Sequence, residues 1–321
     1  MTIQMTAAEL ERLRRGATFV ASQPAVFRIE GPGAVDCVQG LLTCDVARPG
    51  PDSLAYGAML TPKGMIVADL WVLRDHHGVT LVVPLEGHEA TLELLRRQLP
   101  PRLARLVDRT GEWGVIWGIG DQVERVLKSA DFPSPHAGRL ELLPVIPGPV
   151  EVAQPDQHAP WRAVILVPRD AAEGLLARLM AAGGLAGTGA EAEAARILAG
   201  FPLLGAEIGE RTLPQEVRFD ELGGVSYTKG CYVGQETVAR VHFRGHPNRL
   251  LRGFTWEGNL PADQTVWYDG REVGRITSVI QLERTGLGIG PLRREVEAGA
   301  QVSVGGVAVR VTALPFTAPS P

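Results

Sequence analysis

Three β-rich runs in the first third of the chain constrain its fold more than any other feature. Residues 54–60, 65–74 and 79–83 are separated only by two turn-like stretches, 61–64 and 75–78. Connections this short can form hairpins, but they cannot carry the crossover that parallel strands need. The sequence therefore predicts a mainly antiparallel sheet in this part of the chain.

Helical segments surround these strands. Thr6 and Glu9 have the spacing of a capping box and predict a short helix that Gly16 ends. Further helices are predicted over residues 34–42, 86–98, 171–182 and 190–199. Helices and strands mixed in this way predict an α+β fold.

A proline-rich stretch follows the first group of strands and helices. The stretch from Asp131 to Pro160, inclusive, contains seven prolines. Proline lacks a backbone donor and fixes φ, so such a stretch is not expected to support a continuous helix or central strands. We predict a connecting region with a single strand over residues 140–145.

The end of the chain has the pattern of a small all-β unit. Two-residue hairpin signals stand at Asp269-Gly270 and Gly305-Gly306. Strand-like runs flank them over residues 250–256, 265–268, 271–282 and 301–312. Because short strands with tight turns close into barrels or sandwiches, a small β-barrel is predicted here.

These features divide the chain into three parts. A chain of 321 residues is longer than one hydrophobic core usually serves. We predict a first α+β part over residues 1–130, a second over 131–246 and a C-terminal β-barrel over 247–321.

Composition limits the class of protein. The chain is 45% hydrophobic and 21% charged, with a formal net charge of −4, which argues against a general nucleic-acid coat protein. No apolar run approaches the about 20 residues that cross a bilayer. The N-terminus lacks the apolar core of a signal peptide, and the three cysteines form no disulfide framework. We expect a cytoplasmic protein with free thiols and no membrane partner.

The stretch Lys229-Gly230-Cys231-Tyr232-Val233-Gly234-Gln235-Glu236 is the strongest candidate site. It holds one of three cysteines between two glycines, with a lysine two positions before the cysteine. Lys229 and the amides of a following helix would favour the thiolate of Cys231. Gln235 and Glu236 could hydrogen-bond the backbone of the turn. We predict a functional thiol rather than a buried structural cysteine.

Two other interpretations of Cys231 receive less support. A cysteine hydrolase would need a histidine brought to the thiol, and His242 and His246 are near in sequence without a residue to orient them. A metal site would need the paired spacing that the three cysteines lack, so no metal ligands are predicted.

Two further features suggest ligands. Asp45 and Asp69 stand beside small residues, where a carboxylate serves either turn capping or an acid/base or amine-binding role in a cleft. Residues 229–252 carry five basic side chains against Glu236 alone, which predicts a local positive patch for an anionic partner.

The signature resembles that of a known family, and other stretches share the resemblance. The matching stretches are 229–236 with 238–240 and 244–245, 39–46, 61–64 with 68–69, 196–197 with 200–202, 214–216, 274–278 and 288–290. Together they resemble the YgfZ family of folate-binding proteins, which are relatives of the glycine-cleavage T protein.

The resemblance implies an aminomethyltransferase-like fold in which two α+β parts and a C-terminal β-barrel surround a central folate-binding cavity. It implies tetrahydrofolate or a derivative as ligand, and a role in making or repairing iron–sulfur clusters that affects tRNA modification through a cluster-containing methylthiotransferase. The candidate catalytic residues are Cys231, Lys229 and Asp69. The candidate folate-binding residues are Asp45, Asp69, Arg196, Lys229, Tyr232, Gln235, Glu236 and Arg240.

Two positions depart from the T-protein relatives. Those relatives carry an aspartate pair where this chain has Ala68 and Asp69, and a pterin-reading glutamate where it has Leu198. The departures argue against aminomethyl transfer and predict a pterin edge that faces leucine.

The leading hypothesis is a folate-binding accessory protein for iron–sulfur proteins. The alternatives are a tetrahydrofolate-dependent aminomethyl or methyl transferase that uses Asp69, and an RNA-binding module that uses the basic patch. Whether the protein turns over a substrate is left open by the sequence.

Overall fold

The computed structural model describes residues 1–144, 150–156 and 158–316. Most helices are short and begin or end at glycine. Within these residues the α-helices are α1 (Ala7–Arg15), α2 (Ala34–Gln39), α3 (His88–Gln98), α4 (Val123–Ser129), α5 (Arg169–Ala181), α6 (Gly189–Ala199) and α7 (Gln235–Arg244). Thr6 and Glu9 form the predicted capping box of α1.

Strands make up most of the regular structure. Over the same ranges they are β1 (Thr2–Gln4), β2 (Thr18–Ser22), β3 (Ala25–Glu30), β4 (Ser53–Leu60), β5 (Ile66–Arg74), β6 (Gly78–Val83), β7 (Arg105–Asp108), β8 (Trp113–Ile119), β9 (Arg139–Leu143), β10 (Val150–Gln154), β11 (Ala163–Pro168), β12 (Leu185–Ala186), β13 (Arg249–Glu257), β14 (Thr265–Tyr268), β15 (Arg271–Arg275), β16 (Ser278–Gln281), β17 (Thr285–Arg293), β18 (Gln301–Val304) and β19 (Val307–Thr312).

Most of these strands before residue 190 form one large sheet. Its order among the described residues is β12-β2-β8-β11-β10-β9-β4-β5-β6-β3-β7. The predicted hairpins β4–β5 and β5–β6 are antiparallel neighbours. One half of the sheet consists of β4, β5, β6, β3 and β7, in that order, and comes from the first part of the chain. The other half combines β2 and β8, also from the first part, with β9 to β12. The sheet is continuous across residue 130, where the sequence analysis divides the chain.

The prediction for the proline-rich stretch was wrong in one respect. Residues 150–154 form the central strand β10, which pairs with β9 on one side and β11 on the other. Prolines at positions 149 and 155 bracket this strand in the sequence and do not interrupt it, so every backbone donor within it remains available. The predicted strand at 140–145 corresponds to Arg139–Leu143, and position 145 lies outside the described residues.

The C-terminal part is a closed barrel, as predicted. Each strand of the barrel pairs with the next in the spatial order β17, β13, β19, β18, β14 and β15. Pairing of β15 with β17 closes the barrel. Asp269 and Gly270 both have positive φ, as do Gly305 and Gly306, which is the backbone that two-residue hairpins require. The N-terminal strand β1 joins this sheet by pairing in parallel with β16. The predicted α+β class with a C-terminal small β-barrel is confirmed.

The main core lies between the two halves of the large sheet. It takes side chains from β4 and β5 in one half and from β8 and β11 in the other, and from α6 and the barrel. The facing surfaces of the two halves therefore enclose the centre of the molecule. Cavities in this centre are the places where a small ligand could be surrounded by protein.

Candidate functional site

An aromatic cavity between the two halves of the large sheet is a candidate site. Its volume is about 260 Å³, and its lining includes Asp69, Trp71, Trp117, Trp161 and Phe201. The rings of Trp117 and Trp161 lie 4.8 Å apart between centroids. Flat aromatic walls of this kind suit a planar ring system. We call this the Asp69 cavity.

Asp69 gives the cavity its polar group. The residue is 6% exposed. Tyr56 donates a hydrogen bond to its Oδ2 at 3.0 Å, while its buried Oδ1 has no partner in the described chain. Burial raises the pKa of Asp69 to about 6. A carboxyl with a free oxygen and such a pKa can accept a hydrogen bond or exchange a proton near neutral pH.

Ala68, which stands where the T-protein relatives carry the first aspartate of a pair, lies on the face of β5 that points away from the cavity. Ala68 packs there in a second core, with Leu70 and Val72. Asp69 points to the opposite face, because successive side chains on a strand alternate. The cavity-facing carboxylate is therefore present in this chain, and Ala68 does not remove it.

Leu198 lies apart from Asp69. Leu198 lines a different cavity of about 380 Å³, together with Leu13, Leu222 and Phe316. The backbone N–H of Phe316 donates to the Leu198 carbonyl at 2.9 Å. Because Asp69 and Leu198 line separate cavities, a ring held at Asp69 is not thereby placed against Leu198.

Arg196 is at the Asp69 cavity, but its guanidinium is engaged with the protein. It forms buried ion pairs with Glu193 and, at 2.8 Å, with Glu207. It also donates to the Ser278 hydroxyl at 2.7 Å, which ties α6 to the barrel sheet. Arg196 therefore holds the wall of the cavity in place.

The ammonium group of Lys229 is bound by backbone carbonyls. Its Nζ donates to the backbone carbonyls of Gln39, Leu42 and Cys44, each at 2.7 Å. These three bonds use all three ammonium donors, so none remains for Cys231. Burial lowers the pKa of Lys229 to about 8. Lys229 thus ties the signature to the loop after α2, and its predicted effect on the thiol of Cys231 stays a prediction.

Gly234 makes a second tie between the signature and the first part of the chain. Its φ is +82°, and a Cβ there would lie 2.6 Å from the Thr61 carbonyl oxygen. The signature thus packs directly on the turn between β4 and β5. Cys231 itself is exposed. It stands on a turn held from both sides, and the Asp69 cavity has no lining residue from 229–236 within the described chain.

The remaining predicted ligands lie outside the Asp69 cavity. Asp45 accepts hydrogen bonds from Gln39 and from the backbone of Ala47 and Arg48, as in turn capping. Burial alone would raise the pKa of Asp45, but these bonds lower it below its usual value.

The predicted folate-binding residues after Cys231 also lie outside the Asp69 cavity. Tyr232 is buried, with its ring 5.2 Å from the Lys229 Nζ. Gln235 begins α7, and the exposed pair Glu236 and Arg240 is joined at 3.1 Å.

The predicted positive patch is weaker in space than along the sequence. Lys229 is buried against carbonyls, and Arg240 is paired with Glu236. Asp220 lies 3.1 Å from His242 Nδ1, which also corrects the statement that nothing orients this histidine. Arg244 and Arg249 are exposed, so the RNA-binding alternative stays a prediction.

The aromatic lining of the cavity was not found by sequence reasoning. Trp113 and Trp117 lie four residues apart on β8 and so share one face of the strand, which was a usable signal. Tyr56, Trp161 and Phe201 meet Asp69 only through the fold.

The three cysteines predict a selective labelling pattern. All are free, with Cys231 exposed, Cys37 half-buried and Cys44 buried. Burial raises the pKa of Cys44 to about 12. Iodoacetamide should therefore label Cys231 first in the native protein and reach Cys44 only after unfolding, as peptide mass spectrometry would measure. Labelling of Cys44 ahead of Cys231 would contradict this arrangement.

Comparisons with known proteins agree with this architecture. Residues 2–134 match the GCVT N-terminal domain model, and residues 248–318 match the CAF17 C-terminal beta-barrel domain model. The crystal structure of glycine cleavage system aminomethyltransferase T from Bartonella henselae superposes with a TM-score of 0.79 at 19% identity, covering 97% of this chain and 89% of that one. No helix in the described ranges is long and apolar enough to span a membrane.

Curated relatives narrow the family. The tRNA-modifying protein YgfZ of Edwardsiella ictaluri is 32% identical over 233 residues, which cover 70% of this chain and 66% of that protein. An aminomethyltransferase of Rubrobacter xylanophilus is 29% identical over 96% of this chain and 85% of its own length. YgfZ proteins of Sodalis glossinidius and Hamiltonella defensa match at 24% and 29% identity. With its aminomethyltransferase-like fold and its signature at residues 229–236, the chain belongs to the YgfZ family.

Proposed function

We propose that this protein binds a reduced folate in the Asp69 cavity and supports tRNA modification as an accessory to iron–sulfur enzymes. One observation carries the folate part of the proposal. Two residues that line the cavity carry buried polar atoms without partners in the described chain, the acceptor Asp69 Oδ1 and the donor Trp161 Nε1. Buried groups of this kind mark places where a ligand completes the hydrogen bonding.

A pterin ring fits these requirements. It is flat and aromatic, and its edge carries both N–H donors and a carbonyl acceptor. Asp69 would accept from the N–H groups, Trp161 would donate to an acceptor, and Trp71 and Phe201 would pack against the ring. A bound tetrahydrofolate would supply a one-carbon carrier, while these side chains bind and orient it and exclude water.

The exposed thiol supports the accessory part of the proposal. Cys231 lies on a turn fixed by Lys229 and Gly234 and lines no part of the Asp69 cavity within the described residues. Its position allows another macromolecule to reach it. Because thiolates are the usual ligands of iron in clusters, an iron–sulfur protein such as a tRNA methylthiotransferase is the partner class we propose.

Folate binding can be tested directly. Calorimetric titration with tetrahydrofolate, folinate and folate should give one-site binding to at least one of them, accompanied by quenching of tryptophan fluorescence from Trp117 and Trp161. Replacing Trp161 with phenylalanine keeps the packing and removes the donor, so it should weaken binding about tenfold. Absence of heat and of quenching with all three ligands would remove folate from the proposal.

A tetrahydrofolate-dependent transferase is the second candidate, and a specific observation favours it. Asp69 lines the cavity, burial raises its pKa to about 6, and its Oδ1 accepts no hydrogen bond from the described residues, which suits general acid or base catalysis. Steady-state assays with tetrahydrofolate and aminomethylated or methylated donors separate the two candidates. Turnover that is lost in Asp69→Asn but kept in Cys231→Ala would favour the transferase over the accessory role.

The accessory role has a cellular readout. In a deletion strain, Cys231→Ser should lower the methylthio content of tRNA, measured by nucleoside mass spectrometry. The purified variant should keep its melting temperature, because an exposed side chain contributes little to stability. Full complementation of the deletion strain by Cys231→Ser would contradict a functional role of the thiol.

A further inference from the structure

A second buried carboxyl lies in its own cavity between the two halves of the large sheet. The cavity has a volume of about 170 Å³, and its lining includes Glu151, Arg28, Thr80 and Trp113. Asp69 and residues 229–236 do not line it in the described chain. It is therefore separate from both sites discussed above.

Glu151 is not satisfied by the protein. The residue is 8% exposed, and its buried Oε2 accepts no hydrogen bond from the described residues. Burial raises the pKa of Glu151 to about 7, the nearby Asp75 charge adds to this shift, and Arg28 opposes it. Burying an ionisable group without a partner is costly, and such groups are retained where something else binds them.

The neighbouring arginines do not supply the missing partner. Arg28 donates to Glu30 at 3.3 Å, to Thr80 at 3.1 Å and to Asp75 at 2.9 Å. Its side chain is thus committed to groups other than Glu151.

The other charged residues of the cavity lining are already paired. Arg28 pairs with Glu30 and Asp75, and Arg105, outside the lining, lies 3.7 Å from Glu30. Arg109, which also lines the cavity, is neutralised by Glu112 at 2.7 Å. Among the charged lining residues of the described chain, Glu151 is therefore the one without an ion pair.

We propose that the Glu151 cavity binds a compact organic cation, a primary ammonium or an amidinium, whose N–H groups donate to Glu151. The cavity is smaller than the sites that hold drug-sized ligands, which limits the ligand to a few non-hydrogen atoms. The indole of Trp113 lines the same space and adds cation–π attraction. The proposal does not depend on folate binding.

The indole signals of the six tryptophans provide the test. In nitrogen-15 NMR spectra at a pH of about 8, above the pKa of about 7 to which burial raises Glu151, titration with ethylammonium or acetamidinium should shift the Trp113 signal saturably. Trp113→Phe assigns that signal. Acetamide, which has N–H donors without charge, and tetramethylammonium, which has charge without donors, should not shift it.

Variants identify the carboxylate. Glu151→Gln keeps the size of the side chain and should weaken binding about tenfold or more, while Asp69→Asn should leave it unchanged. Leu166→Phe, which fills the cavity and leaves Glu151 in place, should also abolish the shift, with thermal unfolding checking that each variant folds. Equal shifts with acetamide, undiminished binding in Glu151→Gln, or no saturable shift in the parent protein would each overturn the proposal.

Discussion

Replacing Asp69 with asparagine should raise the stability of the unliganded protein and lower its affinity for folate. Burial raises the pKa of Asp69 from 3.8 to about 6. Between these pH values the folded protein holds a proton that the unfolded chain has released, so stability falls as the pH rises and stays lower above this range. Asparagine carries no charge and removes this penalty, which amounts to roughly 3 kcal/mol at neutral pH.

The same substitution removes the acceptor that we assign to the pterin. Losing a charge-assisted hydrogen bond in a buried site costs about 1.5–3 kcal/mol, so the affinity for tetrahydrofolate should fall by about ten- to a hundredfold. Urea denaturation and calorimetric titration measure the two effects separately.

Glu151→Gln is the matched control for Asp69→Asn. Burial raises the pKa of Glu151 to about 7, so this variant should also stabilise the unliganded protein. It should leave folate affinity unchanged, because Glu151 lies in another cavity. Folate affinity that is unchanged in Asp69→Asn would contradict the assignment of the pterin to the Asp69 cavity.

Replacing Lys229 with methionine should destabilise the protein by about 2–4 kcal/mol. The substitution keeps an apolar stem of similar length but leaves the carbonyls of Gln39, Leu42 and Cys44 without their donor. The expected result is a lower midpoint of urea unfolding. Lys63→Met is the matched control, since Lys63 is exposed on the turn against which the signature packs, and it should have little effect.

Thiol chemistry distinguishes this structural role from the role predicted by the sequence. A lysine that activated Cys231 would, when replaced, slow alkylation of the thiol and leave stability nearly unchanged. A lysine that ties the signature to the loop after α2 should instead change stability first. Slower alkylation of Cys231 in Lys229→Met at unchanged stability would contradict the structural assignment.

Much of the local structure could be predicted because neighbouring residues decide it. The capping box of α1 depends on Thr6 and Glu9, three positions apart. The barrel hairpins depend on Asp269-Gly270 and Gly305-Gly306, whose residues adopt the positive φ that the turns need.

The proline-rich stretch marks the limit of such reasoning. A stretch in which prolines flank a strand can have the same amino-acid composition as one in which prolines interrupt it. Only the pairing of β10 with β9 and β11 reveals that this strand is central.

The sequence by itself determined the hairpins, including those of the barrel, and the position of the signature, because each depends on residues a few positions apart. The tertiary structure alone decided what the signature lysine does, since Lys229 Nζ reaches the carbonyl of Gln39, 190 positions away. It also decided that Asp69 meets Trp161 in one cavity and that the basic residues near Cys231 are partly neutralised. The physical reason is that hydrogen bonds, burial and charge act through space, and residues distant in sequence become neighbours only when the sheet halves and the barrel pack together.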